Sequence, residues 1–70
     1  MNIWDYEYKE NVKITTADDK VFVGTVINIV YADETEKGEN MVDIETENGI
    51  FGIWESEIKS IEKVSEEHKK

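Results

Sequence analysis

The sequence predicts an all-β domain, five short strands in one strongly bent sheet that closes into a small barrel. Three observations lead there. Nine Ile, seven Val and five Thr make up 30% of the 70 residues, while Leu and Pro are absent; stiff β-branched side chains suit a pleated surface and slightly disfavour helix. The apolar residues alternate in short runs parted by polar turns, which is a strand period and not a helical one. Finally, Asn48-Gly49 stands between two such runs, a strong short-range hairpin signal. A chain this short buries only about 60% of its unfolded surface, so one small core is the limit.

The elements follow in order. Residues 1–8 form an N-terminal arm that carries Trp4, Tyr6 and Tyr8. From Lys9 to Thr16 the pattern alternates, Val12 and Ile14 on one face and Lys13 and Thr15 on the other. Asp18-Asp19-Lys20 is a polar turn. Val21 to Tyr31 is apolar almost throughout, with Gly24 near its middle; a long strand broken by one glycine bends there, as a strand serving both halves of a barrel must. Ala32 to Asn40 is an acidic surface loop, and Met41 to Glu47 alternates again. A type I′ turn at Asn48-Gly49 then places Glu47 opposite Ile50, Thr46 opposite Phe51 and Ile44 opposite Ile53. Ile50 to Trp54 is the return strand, and Glu55-Ser56-Glu57 is one 3₁₀ turn. Ile58 to Val64 closes the sheet, removing exposed edges. Thus residues 9–64 are the barrel, and residues 65–70 a charged tail expected to fray.

Charge narrows the function. Seventeen Asp and Glu stand against eight Lys and no Arg, a net charge of −9. Nucleic-acid affinity comes largely from cations that neutralise phosphates, with Arg the preferred fork, so this balance argues against a polyanion partner. With no Cys there is no disulfide framework and no thiolate metal site. No apolar run approaches the ~20 residues that span a bilayer, and the acidic start Asn2-Ile3-Trp4-Asp5 lacks a signal-peptide core. The expectation is a cytoplasmic protein off the membrane.

Catalysis has little to work with. The one histidine, His68, lies in the tail, and paired carboxylates such as Asp18-Asp19 and Glu66-Glu67 fall on a turn or the tail, where solvated charge is the ordinary state. Asp33-x-Thr35-x-Lys37-Gly38 echoes a calcium loop, but Lys37 and Ile44 stand where oxygen ligands belong. Neither enzyme, metal nor cofactor is expected.

Two segments carry a family resemblance. Asn11-Val12-Lys13-Ile14, the polar turn, and Phe22-Val23-Gly24-Thr25-Val26 resemble the first Sm motif. Ile50-Phe51-Gly52 with Glu57-Ile58-Lys59-Ser60-Ile61 is similar to the second motif and closing strand of Sm-like (LSm) barrels, the Hfq-type bacterial RNA chaperones among them. The same ending resembles the C-terminal SH3-like barrel of bacterial ribosome maturation factors. The resemblance implies a small barrel, homo-oligomeric assembly and, in the Sm case, a ring that binds RNA. Its nucleotide pocket would draw on Asp33, Asn40 and Phe51, yet Phe51 stands where Sm proteins that bind uridine carry Arg, and six residues part Asp33 from Asn40.

The hairpin supplies the strongest site expectation. One face carries Val42, Ile44, Thr46, Phe51 and Ile53 and belongs to the core. The other sets Ile50, Gly52 and Trp54 among Asp43, Glu45 and Glu47. Ile50 and Trp54 among carboxylates are not the composition of an idle solvent face, and Gly52 leaves room for a close approach. Either the N-terminal arm (Trp4, Tyr6, Tyr8) covers them or they bind a partner. The function expected is therefore protein–protein interaction or self-assembly, with a basic protein or a further copy as partner; the alternative is an Sm-like RNA-binding ring.

Overall fold

The computed structural model describes residues 2–64; the expected frayed tail at residues 65–70, His68 included, lies outside the described residues. Five antiparallel strands dominate: β1 (Val12–Thr16), β2 (Val21–Val30), β3 (Met41–Thr46), β4 (Gly49–Trp54) and β5 (Ile58–Lys63). Single 3₁₀ turns occur at Ile3–Tyr6, Ala32–Glu34 and Glu55–Glu57, the last as the sequence predicts. Within the described residues there is no longer helix, and none long and apolar enough to cross a membrane. β1 starts three residues later than the alternation suggests, because Asn11 takes a left-handed φ of 56°.

The strands form one sheet in the order β4-β3-β2-β1-β5. β2 organises it. Its first part, Val21–Gly24, pairs with β1, and its second, Thr25–Val30, with β3. The hand-over falls at Gly24, as expected. A Cβ built there overlaps the carbonyl oxygen of Glu45 and lies 2.8 Å from its carbon, so β3 backbone passes where any other residue would put a side chain. Bulges add to the curl. One lies between Val26 and Asn28 on β2, and it turns both Val26 and Ile29 into the core despite their odd spacing. Another, where Thr16 meets Ile58, does the same for Ile58 and Ile61 on β5.

Closure into a barrel is not observed. β4 and β5 stand at the two ends of the strand order with no ladder between them, so the sheet is strongly bent but open. The edges differ in their protection. β5 alternates charge along Lys59, Glu62 and Lys63, the usual guard against edge pairing. β4 reads Gly-Ile-Phe-Gly-Ile-Trp and carries no charge.

The hairpin register also needs correction. The turn residues are Glu47 and Asn48, so Thr46 pairs with Gly49, Glu45 with Ile50, Ile44 with Phe51 and Val42 with Ile53. The reason is local. The Thr46 hydroxyl accepts from the Asn48 N–H at 3.0 Å, and only Gly49, at φ 126°, takes a positive φ, where a type I′ turn needs two. The shift is two residues, so every side chain keeps its expected face. Ile44 and Ile53 are both buried but diagonal, not facing.

The core gathers Val12, Ile14, Val26, Ile29, Val42 and Ile44 from the strands, each at most 2% exposed. Ile3 joins them at 1%, so the arm is anchored by its one aliphatic residue. Asn2 caps its turn, accepting from the Trp4 N–H at 3.1 Å.

The β1–β2 turn is held by Thr16, whose buried hydroxyl donates to the Asp18 carboxylate while the Thr16 N–H donates to Lys20 O at 2.9 Å. That hydroxyl, with Lys20 adding attraction, keeps the Asp18 carboxyl below the ordinary aspartate range. Bonds from Ser56, with Lys37 nearby, do the same for Glu39. Depressed carboxyls stabilise the fold above their unfolded values, near 4, and lose that contribution as pH falls through the folded ones. The melting temperature should accordingly hold from about pH 8 to 5 and decline below about 4. In thermal melts across that range Asp18→Asn with Glu39→Gln should flatten the acid decline; an unaltered decline contradicts the assignment.

Candidate functional site

Strand alternation puts Met41, Asp43 and Glu45 outward on β3, and Ile50, Gly52 and Trp54 outward on β4. They meet in facing pairs: Met41 with Trp54, Asp43 with Gly52, Glu45 with Ile50. All five residues predicted for a partner site, Trp54, Ile50, Gly52, Asp43 and Glu45, thus share one face. Ile50 is 59% exposed. Trp54 and Met41 are half-buried. Val30 of β2 lies beside Met41 and extends the apolar strip.

Gly52 plays a different part from the one expected. A Cβ there would sit 2.8 Å from Met41 Sδ and 3.2 Å from Asp43 Oδ1. The room that Gly52 leaves is filled by this chain's own Met41, whose flexible thioether lies across it. That thioether puts apolar surface over Gly52, between Trp54 and Ile50 on β4.

Trp54 is met by the β2–β3 loop. Lys37 Nζ stands 4.8 Å from the indole centroid, inside cation–π range. The loop that delivers it is internally bonded. The Thr35 hydroxyl accepts from the Gly38 and Glu39 N–H groups at 3.0 and 3.1 Å and donates to Glu39 O at 2.9 Å. Asn40 Oδ1 accepts from Ala32 N–H at 2.8 Å, and its amide nitrogen donates to Glu55 Oε1 at 3.0 Å. Glu39 accepts from the Ser56 N–H at 2.9 Å and pairs with Lys37 at 3.5 Å. A cleft of about 560 Å³ lies between this loop and the sheet, lined by Val30, Glu34, Glu36, Lys37, Met41 and Trp54.

The arm goes elsewhere. Trp4 packs on Tyr31, ring centroids 5.1 Å apart; Tyr6 leans on the core; Tyr8, 69% exposed, sits at φ 62°. Lys37 and Met41, which sequence reasoning did not assign, are the residues placed at Trp54.

The three residues of the RNA alternative do not form a reading pocket. The side chain of Asn40 is committed to Ala32 and Glu55. Asp33 is exposed in a 3₁₀ turn. Phe51 faces the core side, where its ring meets Phe22 at 5.2 Å. That pair stands by the open side of the sheet, next to a groove of about 360 Å³ bounded by Thr16, Asp18, Phe22, Ile53 and Glu57. Among the described residues no three His, Cys, Asp or Glu side chains gather as a metal site.

Fold and site together define a small, acidic, open-sheet β domain with an apolar outward strip on one hairpin. Compared with protein-family models, curated proteins and solved structures, the chain matches none.

Proposed function

We propose that this chain is a non-enzymatic β module that binds protein, either a basic partner or further copies of itself, through the outward β3–β4 face around Trp54. The observation that carries this is the outward face on which Ile50, Met41 and Trp54 stand with Asp43 and Glu45 among them. Aromatic anchors with a charged rim are the usual make-up of a protein interface. The net charge of −9 steers basic partners toward it. The uncharged β4 edge, at the end of the strand order among the described residues, offers its backbone groups for assembly. Kinship with Sm-like and SH3-like barrels is part of the same proposal and rests on the Gly24-centred strand pair and the Ile58-x-x-Ile61 ending. A cytoplasmic setting belongs to it too, and rests on the cysteine-free composition.

The test uses Trp4→Phe protein, in which Trp54 is the only indole. A synthetic peptide alternating lysine and valine should shift Trp54 emission saturably, more weakly as salt rises, while its glutamate counterpart does nothing. A flat titration with both peptides, in protein that light scattering shows to be monomeric, contradicts the reading.

RNA provides the opposing measurement. At ~0.15 M salt, uridine-rich and adenine-rich oligonucleotides should show no binding at low micromolar protein in fluorescence anisotropy, since few cations are available to displace counterions. Tight, salt-sensitive binding would restore the RNA-ring alternative.

A further inference from the structure

We propose that the Trp54 ring is a receptor for a cationic side chain of the partner, a lysine or arginine, and that Lys37 occupies it in the free protein as an intramolecular stand-in. The inference rests on the module reading above and names what that face recognises.

The geometry shows what the cleft accepts. Lys37 Nζ lies 4.8 Å from the ring centroid, and an ammonium over an indole face within about 6 Å is attracted by the ring quadrupole. The walls suit a cation: Glu34 and Glu36 supply negative charge, and Val30 and Met41 supply apolar contact for an aliphatic stem.

Lys37 is also poorly tied. Among the described residues its ion pair is with Glu39 at 3.5 Å, the two side chains being 44% and 26% accessible, and pairs open to solvent contribute little. Apart from that pair, the bonds that shape the loop run through Thr35, Asn40 and Glu39 to the backbone and to Glu55. The lysine can therefore swing off the ring while the loop stays built. While on the ring it competes: a binding-competent fraction below one lowers apparent affinity by that fraction. A partly exposed cation–π contact corresponds to about a two- to fivefold effect.

The experiment compares Lys37→Gln with Lys59→Gln in the Trp4→Phe background. Both remove one positive charge, but Lys59 pairs with Asp19 near the β1–β2 turn. In the free protein, Lys37→Gln should change Trp54 emission and Lys59→Gln should not. With the lysine–valine peptide, Lys37→Gln should tighten binding by about two- to fivefold beyond whatever Lys59→Gln does. Trp54→Leu, read by peptide anisotropy, should remove that difference. Equal tightening by the two glutamine variants, in protein that binds the peptide, overturns the stand-in and leaves the module reading in place. Absence of binding in every variant, the unaltered Lys37 protein included, overturns the receptor proposal, and in protein that light scattering shows to be monomeric it overturns the module reading as well.

Discussion

Gly24→Val is expected to abolish the native sheet. The valine Cβ would overlap the Glu45 carbonyl oxygen and lie 3.1 Å from Thr46 Cα. These are backbone atoms of β3, already fixed by the Thr25–Glu45 pairing, and they have no rotamer through which to give way. Overpacking against movable side chains costs about 1–3 kcal/mol; here β2 and β3 must separate. A domain of this length has about 4–10 kcal/mol of total stability, so the loss of one ladder is enough to unfold it. Circular dichroism and urea titration should show no cooperative transition. Gly38→Ala is the contrast: its Cβ would meet nothing within 4 Å, and its φ of 73° makes the change a matter of backbone strain alone, about 1 kcal/mol. A cooperative, near-normal melt for Gly24→Val would show that the β2 bend has been misplaced.

Ile44→Ala ranks second. Ile44 is fully buried, faces Phe51 across the hairpin and Val26 across the β2–β3 ladder, and so contacts both neighbours of β3. Removing its outer carbons leaves a cavity that rigid strands cannot refill, at about 2–5 kcal/mol. For a domain of this size each kcal/mol moves the melting temperature by roughly 4–8 °C, so the midpoint should fall by well over ten degrees. Phe51→Ala should cost less, because Phe51 is 38% exposed at the open side of the sheet. If the two variants melted in the opposite order, the placement of Ile44 inside the core and of Phe51 at its open side would be contradicted.

What the sequence reveals here follows from which physical signals are local. Alternation along β1, β3 and β4 assigns faces, and the faces stand even though the hairpin register moved, since a shift of two residues preserves parity. Gly24 was legible because an isolated glycine in an apolar strand has few other uses. Asn48-Gly49 marked the turn but misplaced its centre. The dipeptide does not reveal that the Thr46 hydroxyl, two residues before Asn48, binds the turn and leaves Gly49 alone with a positive φ. Ile3 gave no signal, because a single aliphatic among aromatic and acidic residues has no period. Barrel closure depends on how far β4 and β5 are carried by the bend and two bulges, a sum of small rotations that composition does not encode. Lys37 was hidden for a similar reason. Its place over Trp54 is set by side-chain bonds of Thr35, Glu39 and Asn40 within a loop whose sequence reads only as polar.

The β3–β4 outward face, with Trp54 accepting a cation, is the surface proposed to bind the partner. Amide and indole chemical-shift mapping of ¹⁵N-labelled protein, titrated with the lysine–valine peptide, tests it most directly. Saturable shifts should concentrate at Met41, Asp43, Ile50 to Trp54 and Lys37, with the Trp54 indole N–H among the largest. Shifts centred on the opposite outward surface, at Lys13, Thr15, Val21 and Val23, or no saturable shift at all, would contradict it.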